Sequence, residues 1–187
     1  MMFNPLIDKF PTTYKGYLIR TDFRVGLQLY ACYKDNDLSD DEKYITMLKL
    51  LYGNGIPKDI AFAFEGVSWF LNLGEKPKKT SAGFGKEVLD FEIDSARIYS
   101  GFKSKFGIDL NTERMHWFAF RYLMLELKDC HLSDVIEIRQ KKIDKTMSTE
   151  QKSMYRKLKR EYALHDSNED NETQKQLLEY LNRSRGV

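Results

Sequence analysis

The apolar positions of this chain recur mostly at three- and four-residue intervals, the period of helices that bury one face. Thr21 or Asp22 can cap a first helix in which Phe23, Leu27 and Tyr30 share a face. Ser39-Asp40-Asp41-Glu42 has the form of a capping box, with acidic residues at the positive end of the helix dipole. Tyr44, Met47, Leu48 and Leu51 then form the stripe of that second helix, and Gly53-Asn54-Gly55 ends it. Pro57 suits the first turn of a third helix with a seam of Ile60, Phe64, Val67 and Leu71. A fourth helix is predicted over roughly Val88 to Phe106, carrying Phe91, Ile98, Phe102 and Phe106, with Gly107 just past its end. Asn111 or Thr112 opens a fifth, to about Leu127. Trp117, Phe118, Phe120, Tyr122, Leu123 and Met124 surround much of its circumference, the mark of a central, buried helix. Ser133 opens a short sixth through Val135, Ile136 and Ile138. Ser148-Thr149-Glu150-Gln151 is a second capping box, leading into a basic helix with Met154, Leu158 and Tyr162 at helical spacing.

Two stretches break the helical period. Before the first helix, Phe10-Pro11 holds the chain extended. Thr12-Thr13-Tyr14 and Tyr17-Leu18-Ile19 then flank Lys15-Gly16, the pattern of a small hairpin that needs a helix to lean on. The segment 74–86 holds three Gly, one Pro and four Lys with no apolar period, and reads as a mobile loop. The polar run 166–171 leads into a weak last helix with Leu177, Leu178 and Leu181. The expected fold is therefore mostly α. A compact multi-helix domain over residues 1–165 carries an N-terminal β-hairpin, and a flexible helical extension follows over 166–187.

Composition narrows the class. The chain has 187 residues, 42% of them hydrophobic and 13% aromatic, enough apolar material for one real core. Charged residues make up 31%, yet the two signs balance to a formal +2, which does not mark a dedicated polyanion binder. Cys32 and Cys130 stand far apart with no metal or redox spacing, and two free thiols in a reducing compartment are expected. The first residues lack the basic and apolar regions of a signal peptide, and no stretch approaches the roughly 18 apolar residues of a membrane helix. A soluble, intracellular protein is expected.

Candidate chemistry is sparse. Glu113-Arg114-Met115-His116 has the i, i+3 spacing of a helical metal half-site, but a di-metal centre needs a second such motif and further glutamates. His116 packing beside Trp117 within the core is the plainer reading. Asp90 and Asp94 stand one helical turn apart; a carboxylate pair can do acid/base work, while near a helix start it is favoured by the dipole alone. No nucleophile elbow, phosphate loop or zinc-protease motif accompanies them. Neither enzymatic activity nor a cofactor or metal is expected. The basic run 139–160 is the strongest charge feature, with nine Lys/Arg against Asp144 and Glu150 for a local net of +7. It can serve as a face for an acidic protein partner, with Lys152, Arg156 and Lys159 as candidate contacts, or as a nucleic-acid-binding face. The low whole-chain charge and scarce aromatics favour the protein partner.

One resemblance covers most of the chain. It rests on Tyr17–Val25 (YLIRTDFRV) and on the run from Asp90 to Leu164. Within that run stand Asp90-Phe91, Asp94, Ile108-Asp109-Leu110, His116-Trp117, Phe120-Arg121 and Arg139. In these residues the chain resembles small proteins encoded in the tail modules of phages and prophages of Gram-positive bacteria, between the tail tube and tape measure genes. The resemblance implies a tail assembly chaperone that acts by stoichiometric binding in the host cytoplasm and is absent from the finished virion. It implies the tape measure and tail tube proteins as partners, with self-association a further reading and no membrane. Asp90, Phe91, Asp94, Asp109, His116, Trp117, Phe120 and Arg139 are its signature positions, and their mainly aromatic and apolar character implies a structural role.

Overall fold

The computed structural model describes residues 4–75 and 88–164. Among these the fold is mostly helical, as expected. An antiparallel hairpin of β1 (Thr13–Tyr14) and β2 (Tyr17–Leu18) precedes seven helices: α1 (Phe23–Lys34), α2 (Asp40–Tyr52), α3 (Ile60–Leu71), α4 (Ser95–Phe106), α5 (Trp117–Leu125), α6 (His131–Gln140) and α7 (Thr149–Glu161). The predicted loop 74–86, beyond Glu75, and the predicted extension 166–187 lie outside the described residues. The chain divides into two compact units, one of Met1–Gly83 with Phe102–Glu126 and one of Phe84–Gly101 with Leu127–Val187.

In the first unit the local signals held. Asp22 caps α1 by accepting from Arg24 N–H at 3.0 Å, and Ser39 and Glu42 form the reciprocal capping box of α2. Pro57 does not open α3. Asp59 does, accepting from Phe62 N–H at 3.1 Å, so the proline lies in the preceding connection. The buried seams differ from those predicted. In α1 Phe23, Gly26, Leu29 and Cys32 are buried, and Leu27 and Tyr30 are only half-buried. In α2 Tyr52 joins Met47, Leu48 and Leu51 inside, while Tyr44 stays exposed. In α3 Ala63, Gly66, Val67 and Phe70 face inward and Ile60 is exposed.

The reason for the α1 shift is the indole of Trp117. A Cβ at Gly26 would stand 2.2 Å from its Cε3, so only glycine lets α1 close on that ring. An apolar tally passes over glycine, yet the absence of a side chain there decides which face turns inward. Around this contact the rings stack. Phe120 lies against Phe23 at 4.8 Å, Phe102 at 5.1 Å and Trp117 at 5.7 Å between centroids. Trp117, Phe118, Phe120 and Phe70 are all essentially inaccessible.

The predicted fifth helix begins later than its pattern suggested, at Trp117 instead of Asn111 or Thr112, and ends at Leu125. Two competing sets of bonds explain the delay. Asp109 accepts from Asn111 N–H at 3.0 Å, and its carbonyl takes Glu113 N–H at 2.9 Å, which winds the segment into a turn. The Arg24 guanidinium then occupies the carbonyls of Leu110, Asn111 and Glu113 at 2.5, 3.3 and 3.2 Å, acceptors that a helix would need for itself. Residues 115–117 pair instead with 21–23, through Phe23 N–H to Met115 O at 2.9 Å and Trp117 N–H to Thr21 O at 2.7 Å. The helix is also less enclosed than predicted, since Tyr122, Leu123 and Met124 are half-buried and Leu125 is exposed.

In the second unit, α4 starts at Ser95 and not at Val88. Asp90 accepts from the N–H groups of Glu92 and Ile93 at 2.8 and 3.0 Å and turns the chain before the helix can begin. At the other end of α4, whose residues from Phe102 onward belong to the first unit, the predicted glycine signal held. Gly107 has φ +69°, and its N–H and that of Ile108 reach back to Lys103 and Phe102. The sixth helix begins at His131, two residues before the predicted Ser133. Ser133 is the third residue of the box, accepting from Cys130 N–H at 3.0 Å. The box at Ser148 opens α7 as predicted.

Candidate functional site

Three places on the chain carry polar chemistry, and each assembles sequence-predicted residues differently.

The first is the carboxylate pair. Asp90 and Asp94 do not face one another on a helix turn; both precede the first residue of α4. Asp94 is fully buried, which no local feature foretold. Its carboxylate receives both terminal nitrogens of Arg139, at 2.6 and 3.0 Å, a nitrogen of Arg97 at 3.0 Å and the N–H of Asp90 at 3.1 Å. Burial pushes this carboxyl up. The hydrogen bonds from Arg139 and Asp90 and the charges of Arg139 and Arg97 outweigh it, and the net position lies below the ordinary aspartate value. Arg139 is as much a hub as Asp94, for it also donates to Val88 O at 3.0 Å and Tyr162 O at 2.6 Å. The bonds from Arg139 and from Arg97 Nη1 are thus committed to structure, while the buried Nε of Arg97 has no hydrogen-bond partner among the described residues. The arrangement holds a charge in place and leaves no carboxylate lone pair aimed at a substrate.

The second is Glu113 and His116. The helical half-site is not formed, because Glu113 lies exposed in the connection before α5. His116 is instead the N-cap of α5. Its Nδ1 accepts from Phe118 N–H at 3.0 Å and its Nε2 donates to Pro11 O at 3.0 Å. Those two bonds require the neutral Nε2–H tautomer. The ring stacks on Phe10 at 4.9 Å, and burial lowers its pKa, partly countered by the Pro11 bond. No group of three or more His, Cys, Asp or Glu side chains placed to hold a metal occurs among the described residues.

The sign of the resulting pH dependence is definite. A histidine with a depressed folded pKa stabilises fully above its unfolded value of about 6.5, and loses that contribution as pH falls below it, because the unfolded chain then binds the extra proton. The melting temperature should therefore fall between pH 7 and pH 5. His116→Asn, which can still cap, should flatten that slope, and His116→Ala should add a loss of about 1 kcal/mol for the missing cap. An unchanged slope in both variants would place the titrating group elsewhere.

Other signature residues serve packing. Asp109 pairs with Lys103 at 3.1 Å as well as forming its turn, Phe91 is half-buried, and Trp117 and Phe120 are core rings.

The third place is the basic helix α7, which has no buried residue. Its inner side carries Tyr155, Leu158, Lys159 and Tyr162, all half-buried. Tyr162 lies beneath Arg97 at 5.5 Å and edge-on to His131 at 6.0 Å, and Lys159 Nζ donates to Arg139 O at 2.6 Å. Of the predicted contact residues, Lys159 is thus engaged with α6, and Lys152 Nζ lies 3.4 Å from Lys145 O. Arg156 alone of the three is exposed. The outer face comprises Ser153, Arg156, Lys157 and Arg160, all exposed and spaced i, i+3, i+4, i+7. Lys157 and Arg160 were not singled out in the sequence, although that spacing would have found them. On the flank of this face Met154 is 50% exposed.

No helix among the described residues is long and apolar enough to cross a membrane. Neither the curated proteins nor the solved structures contain a match to this chain. A family model does match. It is described as bacteriophage Gp15 protein and aligns with residues 2–164, from the hairpin through the end of α7 and every signature position. The chain belongs to the bacteriophage Gp15 protein family.

Proposed function

We infer that this phage protein is a tail assembly chaperone of the tail module of a Gram-positive phage or prophage. It binds the tape measure protein, the tail tube subunits or both, stoichiometrically and without turnover. The work takes place in the host cytoplasm, before the virion is complete. A tape measure protein is long and helical, with apolar faces that aggregate when uncovered. A helical protein with a charged, partly apolar outer helix can cover such a face.

The observation that carries the reading is the outer face of α7. Arg156, Lys157 and Arg160 converge on one side of a helix that buries nothing, beside exposed Met154. Core formation does not require such a face, so it is available to a partner. Co-expression with the tape measure protein encoded in the same tail module, followed by affinity capture, tests this directly. Arg156→Glu, Lys157→Glu and Arg160→Glu together should reduce capture by about tenfold or more, equivalent to 1.4 kcal/mol, with little change in melting temperature. Undiminished capture would remove α7 from the interface. Duplex DNA binding that falls steeply with salt and vanishes in the triple variant, with capture intact, would favour a nucleic-acid module instead.

A further inference from the structure

We propose that the outer face of α7 docks on the exposed face of α2 in a second copy of this chain, so that the free protein associates head to tail.

Charge is segregated along the chain. The formal total is only +2, yet residues 139–160 carry a net of +7, and residues 35–42 hold five carboxylates and no Lys or Arg. Those five, Asp35, Asp37, Asp40, Asp41 and Glu42, are all exposed. The low total therefore hides two surfaces of opposite sign on one polypeptide.

Apolar side chains border both. On α2, Asp40, Asp41, Tyr44 and Ile45 stand at i, i+1, i+4 and i+5, so each of these carboxylates has an apolar residue one turn on. Tyr44 is 45% exposed and Ile45 53%. The Tyr44 ring meets Phe64 edge-on at 4.7 Å between centroids, which holds it in place as a contact surface. Exposed Tyr33 ends α1 at the same corner, since Sγ of the adjacent Cys32 lies 3.8 Å from Lys43 O. On α7, Arg156, Lys157 and Arg160 are exposed, and half-open Met154 precedes Lys157 by three positions. The lengths also agree. Met154 to Arg160 covers about 9 Å of helix and Asp40 to Ile45 about 8 Å, at 1.5 Å per residue. In the docked pair the basic groups meet Asp40 and Asp41, a guanidinium lies on the Tyr44 ring, and Met154 covers Ile45.

A second copy is the occupant because it brings the complementary face at the protein's own concentration. The contact joins unlike surfaces. Each copy added leaves one acidic face and one basic face open, so association continues into chains or closes into rings. The tape measure protein needs the same face of α7 and displaces the neighbouring copy. That displacement rests on the function proposed above, whereas the self-association does not.

Sedimentation of the full chain alone, over about a hundredfold range of concentration, tests this. The average mass should rise past that of a dimer at low salt and fall toward that of one chain as salt screens the contact. Asp40→Asn, Asp41→Asn and Ile45→Gln together should keep the chain monomeric, with the Ser39–Glu42 capping box intact. Arg156→Glu, Lys157→Glu and Arg160→Glu together should do the same. Mixing the two variants should give a one-to-one complex that grows no further, because only one complementary pair of faces remains. Misfolded variants could not form it. A natural chain that stays monomeric throughout overturns the proposal. So does association that survives either variant, or a mixture that forms no complex. If the copies associate as described but no form of the chain captures tape measure protein, the proposed function falls and the head-to-tail contact stands. If capture succeeds through α7 and the free chain stays monomeric, the contact falls and the function stands.

Discussion

Arg139→Ala should cost about 3–5 kcal/mol of stability, the range for breaking a buried ion pair by removing one partner. The Asp94 side chain is fully buried and that of Arg139 only 7% exposed, so water cannot replace the lost bonds. The truncation takes away both bonds to Asp94 and leaves the Val88 and Tyr162 carbonyls without this donor. Urea denaturation followed by circular dichroism reads the loss. Arg139→Lys should recover only part of it, because an ammonium cannot form the two-pronged contact. Acid provides a second reading. With its folded pKa depressed, Asp94 stabilises fully above its unfolded value of about 3.9 and loses that contribution as pH falls through the folded value. In Arg139→Ala burial still pushes the carboxyl up while the strongest opposing contact is gone. The gap between the two proteins should narrow as pH drops toward 3. A loss below 1 kcal/mol at neutral pH would show that Arg97 alone satisfies the carboxylate.

Trp117→Ala should destabilise by a similar amount, about 3–5 kcal/mol, through lost transfer free energy and the cavity left behind. The indole is wholly buried among Gly26, Phe70 and Phe120, with the Arg121 guanidinium 5.2 Å from the ring centre. Trp69 remains as a fluorescent reporter of unfolding. Because Gly26 exists to admit this ring, Gly26→Ala should be strongly destabilising alone and much milder in the Trp117→Ala background. That coupling, measured by a double-mutant cycle, separates ring-to-backbone packing from general loss of apolar volume. Additive effects would show that the α1–α5 contact is not set by the indole.

The sequence by itself determined the features whose bonds close within a few residues. The capping boxes at Ser39 and Ser148, the Asp22 cap, the hairpin around Lys15-Gly16 and the glycine stop at Gly107 formed where the pattern placed them. Each is a local donor–acceptor pair or a backbone conformation that one residue type permits. The mostly α class follows from the same local periodicity. Tertiary structure alone decided where α4 and α5 begin, which face of α1 and α3 is buried, and which lysines of α7 remain outside. Asp94 finds Arg139 45 positions away, and Arg24 takes the Leu110 carbonyl 86 positions away. Such partners claim acceptors and charges that a local reading assigns to helix or solvent. Gly26 makes the point in the opposite direction, since an apolar count omits it and yet the Trp117 ring makes it the inner face of α1. Helical spacing sorted the residues of α7 into faces, but only packing against Arg139 and His131 chose the one turned to water.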